Sequence, residues 1–138
     1  MSYSIRLLPD APIILVTHTM SDEYLAEQER AIPEIIALAQ AQPEPVFLVI
    51  DLRDITLNLG QRIEAASMGV RGPNPLLHQP MIRETVFVSG DRMTRQGVGG
   101  LAGGALFGRP RVRQVETREE ALVYCRGVLT GDPSKREH

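Results

Sequence analysis

The stretch VFLVIDL, Val46 to Leu52, is apolar without a break until Asp51. Neither face of such a strand can meet water. It belongs in the middle of a sheet covered on both sides, as parallel α/β sheets are. Parallel neighbours need crossover helices, and the flanking sequence supplies them. Upstream, Leu25, Ile32, Ile35, Ile36 and Ala39 recur at helical spacing, with Ser21 as the expected cap and Asp22 and Glu23 in the first turn. Pro33 removes one amide donor, which predicts a kink or a split in this helix. Downstream, Asn58 and Gln61 make an amide version of the capping box. Ile63, Ala66 and Val70 form a modest apolar stripe, and the helix should stop before Gly72-Pro73.

The remaining segments extend this alternation. Ser4 to Leu8 and Ile13 to Thr17 are short β-rich runs separated by PDAP, which reads as an antiparallel hairpin. RGPNPLLHQP, Arg71 to Pro80, is a long irregular segment: a lid, a partner surface or a plain connector. TVFVSG, Thr85 to Gly90, is a second buried-looking strand, and RVRQVE, Arg111 to Glu116, alternates as a strand near an edge does. Thr117 and Glu120 then form a capping box ahead of a stripe of Ala121, Leu122, Cys125, Val128 and Leu129. The order ββαβαβαβα predicts an α/β fold: a mixed, mainly parallel five-stranded sheet with helices packed on it. One domain is expected over residues 1–130, followed by a polar tail over 131–138.

Composition narrows the function classes. With 138 residues, 43% of them hydrophobic, a real core is possible. A formal net charge of −2 provides no global field for nucleic acid or anionic lipid. Three Phe, three Tyr and no Trp make stacking platforms for single strands improbable. The single Cys125 rules out an internal disulfide and a multi-Cys zinc site, and its place on an apolar stripe predicts a buried, unreactive thiol. His18, His78 and His138 have no metal spacing, so no metal or cofactor is expected. No signal peptide or membrane span is visible, and a cytoplasmic location is expected.

Three segments carry a resemblance to a known family: VFLVIDLRDI (46 to 55), IRETVFVSGDR (82 to 92) and VRQVETREEALVYCRGVL (112 to 129). They are similar to the STAS-like, anti-sigma-factor-antagonist fold, in the bacterial branch related to CRAL-TRIO lipid-exchange domains. The resemblance spans roughly residues 12 to 129 and implies a regulatory scaffold that binds a protein partner or a small apolar ligand. Family members that switch by phosphorylation carry a serine, usually in Asp-Ser-Ser-Gly, after the Asp-Leu strand. Here that region reads DITLNLGQR, with Thr56 as its only hydroxyl and Asn58 near the serine's place.

Two regions are candidate sites. The first is the carboxyl end of the parallel strands, where open α/β sheets gather ligands. Thr17, His18, Asp51, Arg53, Asp54, Ser89, Asp91 and Arg92 all fall there, although Asp and Arg at strand ends are also ordinary turn formers and local ion pairs. The second is the glycine-rich RQGVGGLAGGALFGRP, residues 95 to 110. GVGGLA, Gly97 to Ala102, fits a G-x-G-x-x-A dinucleotide fingerprint, but six residues separate it from the preceding strand. Alternatively, Val98, Leu101, Ala102, Ala105 and Leu106 keep helical spacing, and the pairs Gly99/Gly103 and Gly100/Gly104 give a smooth face that another backbone can approach. A mobile lid is the third reading. The helix reading predicts a homodimer whose surface is the glycine-rich helix and the 71–80 loop. The phosphate reading predicts a nucleotide-binding protein that uses Gly97 to Gly103.

Overall fold

The structure is a computed structural model and describes residues 3–73, 75–103 and 110–131. The chain runs β1 (Tyr3–Leu7), β2 (Ile13–Thr19), α1 (Tyr24–Gln40), β3 (Val46–Asp54), α2 (Leu59–Val70), a 3-10 turn (Leu76–His78), β4 (Ile82–Val88), α3 (Arg92–Gly103), β5 (Val112–Val115) and α4 (Arg118–Thr130). The five strands lie in sequence order, with β1 antiparallel to β2 and every other pair parallel. The fold is therefore the expected mixed α/β sheet.

Strand β3 sits at the centre and is buried on both faces, as its unbroken apolar run requires. On one face Leu48 and Ile50 join Ile14 and Val16 of β2 beneath Ile35 and Ile36 of α1. On the other, Phe47 and Val49 join Val86 and Val88 of β4 beneath Ala121 and Cys125 of α4. Each such side chain contributes roughly 1.5–3 kcal/mol when fully buried. Their parity along the strand separates two cores, and the first borders the apolar cavity described below.

Three local expectations are corrected in whole or in part. Ser21 does not cap α1. The cap position is Glu23, which makes no side-chain cap bond. Ser21 instead organises the turn before the helix, its Oγ accepting from the Glu23 amide and donating to Glu27 at 3.3 Å. Pro33 does not split α1, which continues to Gln40. Pro33 and Glu29, whose carbonyl loses its donor, are both exposed, so water can serve that carbonyl. Ile63 does not face the core. It is 62% exposed, and α2 buries Met68 and Gly69 instead.

Within the 71–80 segment, residues 75–79 are packed on the fold, as a connector is and a lid is not. Leu76 and Leu77 are buried in the first core, and Gln79 is 2% exposed. The capping box of Asn58 and Gln61 forms in both directions at 2.9 and 3.0 Å. Thr117 likewise caps α4 by accepting from the Glu120 amide at 3.1 Å.

Candidate functional site

The first feature lies where β2 and β3 end. Asp51 breaks the apolar run of β3 yet is only 3% exposed, so its charge requires partners. Arg53 meets it through Nη2 at 2.8 Å and Nε at 3.0 Å. Arg118, the first residue of α4, reaches it through Nη2 at 2.9 Å and also donates to Thr17 Oγ1 at 3.1 Å. Parallel register places Thr17 beside Asp51, so one guanidinium ties α4 to two strands. Burial disfavours the Asp51 carboxylate, but the hydrogen bonds from Arg53 and Arg118 outweigh it and hold its carboxyl below the usual range. Asp54 accepts from the Met20 amide at 3.2 Å and completes a shallow polar cleft. Its two carboxylates and two guanidiniums balance, leaving no excess charge to attract an ion.

The second feature is an apolar cavity of about 130 Å³ between α1, α2, α3 and the first face of the sheet. Ile50, Leu52 and Phe87 form its floor; Ala31, Ile32 and Ile35 come from α1, and Ala65 and Ala66 from α2. Leu76 and Leu77 of the 3-10 turn close one side. Met93 and Gly97, both exposed, stand with buried Val98 on the α3 side. The cavity-facing side of α2 is thus Arg62, Ala65 and Ala66, so of the expected stripe Ala66 and Val70 face the core and Ile63 does not.

Few polar groups interrupt this lining. The Arg62 guanidinium donates to Asp91 Oδ2 at 2.7 Å and to Thr94 Oγ1 at 3.1 Å. His18 is 4% exposed and borders both the cavity and the polar cleft. Its ring packs against Tyr24 and Tyr3, with centroids 5.3 and 5.9 Å away. Burial pushes the His18 pKa down, against the opposing charge of Glu27, so the imidazole is neutral at pH 7. His18 Nδ1 and Gln28 Oε1 are both sealed from solvent without a hydrogen-bond partner within the protein.

The glycine-rich segment is helical over its described part, α3. Gly97, Gly99, Gly100 and Gly103 each have open space where a Cβ would project. Among the described residues nothing lies within 4 Å of those positions; a close approach is made instead at Gly69, where a Cβ would stand 2.9 Å from Leu77. Because α3 starts at Arg92, the amides of residues 97–103 belong to the helical ladder. They are not the free amides that a phosphate cradle uses.

The other candidate residues are dispersed. Ser89 Oγ accepts from the Asp91 amide, and the Asp91 carboxylate accepts from the Thr94 amide at 3.0 Å, so the pair shapes the start of α3. Thr56 and Asn58 are exposed, Asn58 being spent on its cap. Gly104 lies outside the described residues. His18 and Asp54 do share the polar cleft. Arg118, Arg62, Tyr24 and Gln28 were not visible as site residues from sequence. The legible signal for Arg118 was Asp51 itself, a buried acid that demanded a cation. Among the described residues no cluster of three or more His, Cys, Asp or Glu could hold a metal, and no helix is long and apolar enough to cross a membrane.

No family model, no curated protein and no solved structure matches this chain.

Proposed function

We propose that this chain is a cytoplasmic binding module on a STAS-like scaffold, and that its ligand is a small apolar molecule held between α1, α2 and α3. The observation that carries the reading is the cavity of about 130 Å³. Its walls are mostly aliphatic, it lies over the sheet face toward the carboxyl ends of the parallel strands, and small residues such as Ala31, Ala65, Ala66 and Gly97 leave it open. Ligand sites are of this kind: mostly apolar, with a few placed polar groups. Thermal melts of the full chain with toluene or cyclohexane test it. Saturation at 100-fold above the dissociation constant raises stability by about 2.7 kcal/mol. Ala66→Leu fills the cavity and should remove that gain.

A second reading concerns self-association. Leu59 and Ile63 on α2 are each 62% exposed, and Met93 on α3 is 46% exposed. Gly99 and Gly100, farther along α3, also have open space at their Cβ positions. A second copy of the chain is the occupant proposed for this apolar surface, as a homodimer. Light scattering at high concentration tests it: a dimer mass that Ile63→Glu converts to a monomer supports the reading, and a monomer throughout removes it.

A further inference from the structure

Gln28 of α1 and His18 of β2 both line the apolar cavity, and each carries one buried polar atom without a partner. Tyr24 and Gln28 stand one helical turn apart on α1, and Tyr24 meets the His18 ring edge-on with centroids 5.3 Å apart. Gln28 Oε1 and His18 Nδ1 have no hydrogen-bond partner within the protein. The Gln28 amide is oriented, because its Nε2 donates to the Ala65 carbonyl at 3.0 Å. Its Oε1 therefore remains a pure acceptor. The neutral His18 ring offers a nitrogen that accepts or donates according to tautomer.

A hydrocarbon in the cavity leaves both atoms unanswered. An anion would have to shed its hydration beside the Arg62 guanidinium, which Asp91 and Thr94 already engage. A hydroxyl suits the lining, since it donates one hydrogen bond and can accept another. The volume limits the rest of the molecule: apolar cavities of about 150 Å³ take up benzene, and this one measures about 130 Å³.

Resting on the apolar-ligand reading above, we infer that the cavity selects a neutral, ring-sized molecule bearing a hydroxyl, of the phenol or cyclic-alcohol class, whose O–H donates to Gln28 Oε1. Because Oε1 is sealed in the unliganded chain, a small rotation of the Gln28 amide accompanies binding. That terminal torsion is a broad one.

Phenol and toluene have nearly the same shape and differ in one hydroxyl, so they separate this inference from the reading beneath it. Each is titrated calorimetrically into the full chain and into Gln28→Met. Phenol should bind the wild-type chain at least as tightly as toluene, although it is the harder of the two to dehydrate. Gln28→Met should move the phenol-to-toluene affinity ratio about tenfold in favour of toluene. The Gln28 side-chain amide resonances should shift with phenol and stay in place with toluene, a readout that needs no variant. Tighter binding of toluene to the wild-type chain, a ratio that Gln28→Met leaves unchanged, or amide resonances indifferent to phenol would overturn the inference and leave the apolar-ligand reading standing. Binding of neither compound overturns both.

Discussion

Arg118 at the start of α4 donates to Asp51 at the end of β3 across 2.9 Å, joining residues 67 positions apart in the chain. Asp51 also holds Arg53 at 2.8 Å, so the carboxylate is the common partner and the two guanidiniums are partly redundant. Their side chains are 49% and 36% exposed for Arg53 and Arg118, against 4% for Asp51. Removing the buried member should therefore cost the most. Asp51→Ala is expected to destabilise by about 2–3 kcal/mol, below the range for a fully buried pair because the guanidiniums keep contact with water. Arg118→Ala should cost about 1 kcal/mol. Urea unfolding at pH 7 measures both, and equal costs would contradict the shared-carboxylate arrangement.

Asp51 and His18 both contribute to the acid side of the stability profile. The folded Asp51 carboxyl titrates below its ordinary value of 3.8, so its contribution is present above that value and is lost as pH falls through the folded pKa. His18 titrates below its ordinary 6.5 because it is buried. Below pH 6.5 the unfolded chain takes up a proton that the folded chain refuses, and stability falls with acidification. The two windows are separate. Melting temperature should decline first just below pH 6.5 and again below pH 4. His18→Gln should flatten the first decline and spare the second. An unchanged first decline in that variant would place the titrating group elsewhere.

Two glycines on adjacent helices should respond in opposite directions. At Gly69 a Cβ would meet the Leu77 side chain at 2.9 Å, where overpacking costs about 1–3 kcal/mol. That exceeds the helix-propensity gain of about 1 kcal/mol from replacing glycine with alanine. Gly69→Ala should therefore destabilise. At Gly100 a Cβ meets nothing, so Gly100→Ala should stabilise by about 0.5–1 kcal/mol. Chemical denaturation of the two variants checks the signs, and a loss at Gly100 would show that something does rest on α3.

Cys125 is fully buried on the inner face of α4, and burial pushes its thiol up to about 12. The thiolate is the reactive species. The native chain should leave a disulfide reagent unreacted at pH 8, while the urea-unfolded chain reacts promptly. Rapid native labelling would contradict the burial.

The sheet was legible because its signal is local and strong. An uninterrupted apolar run such as Val46 to Ile50 has few other places in a fold, and the caps at Asn58 and Thr117 are short-range chemistry. The cavity was not legible. Its lining comes from seven separate elements, and on α2 it consists of Ala65, Ala66 and Arg62 rather than large aliphatic side chains. Small residues bordering a void look, in sequence, like small residues packed against a neighbour. For the same reason the glycine-rich segment reads, in sequence, as a place of close approach, which among the described residues occurs at Gly69 instead. Arg118 resembled an ordinary charge on a solvated helix, and only the three-dimensional placement of β3 shows what it meets.

The two-faced core provides the most direct test of the central claim, that the cavity is a ligand site. Ile35, Leu76, Leu77 and Val98 line the cavity, whereas Ile13, Val49 and Val88 lie in the core on the other side of the sheet. Methyl NMR spectra of the full chain, recorded during a titration with toluene, report on both sets at once. The account predicts saturable shifts in the first set and quiet resonances in the second. No saturable shift in Ile35, Leu76, Leu77 or Val98, or equal shifts across both faces, would contradict it.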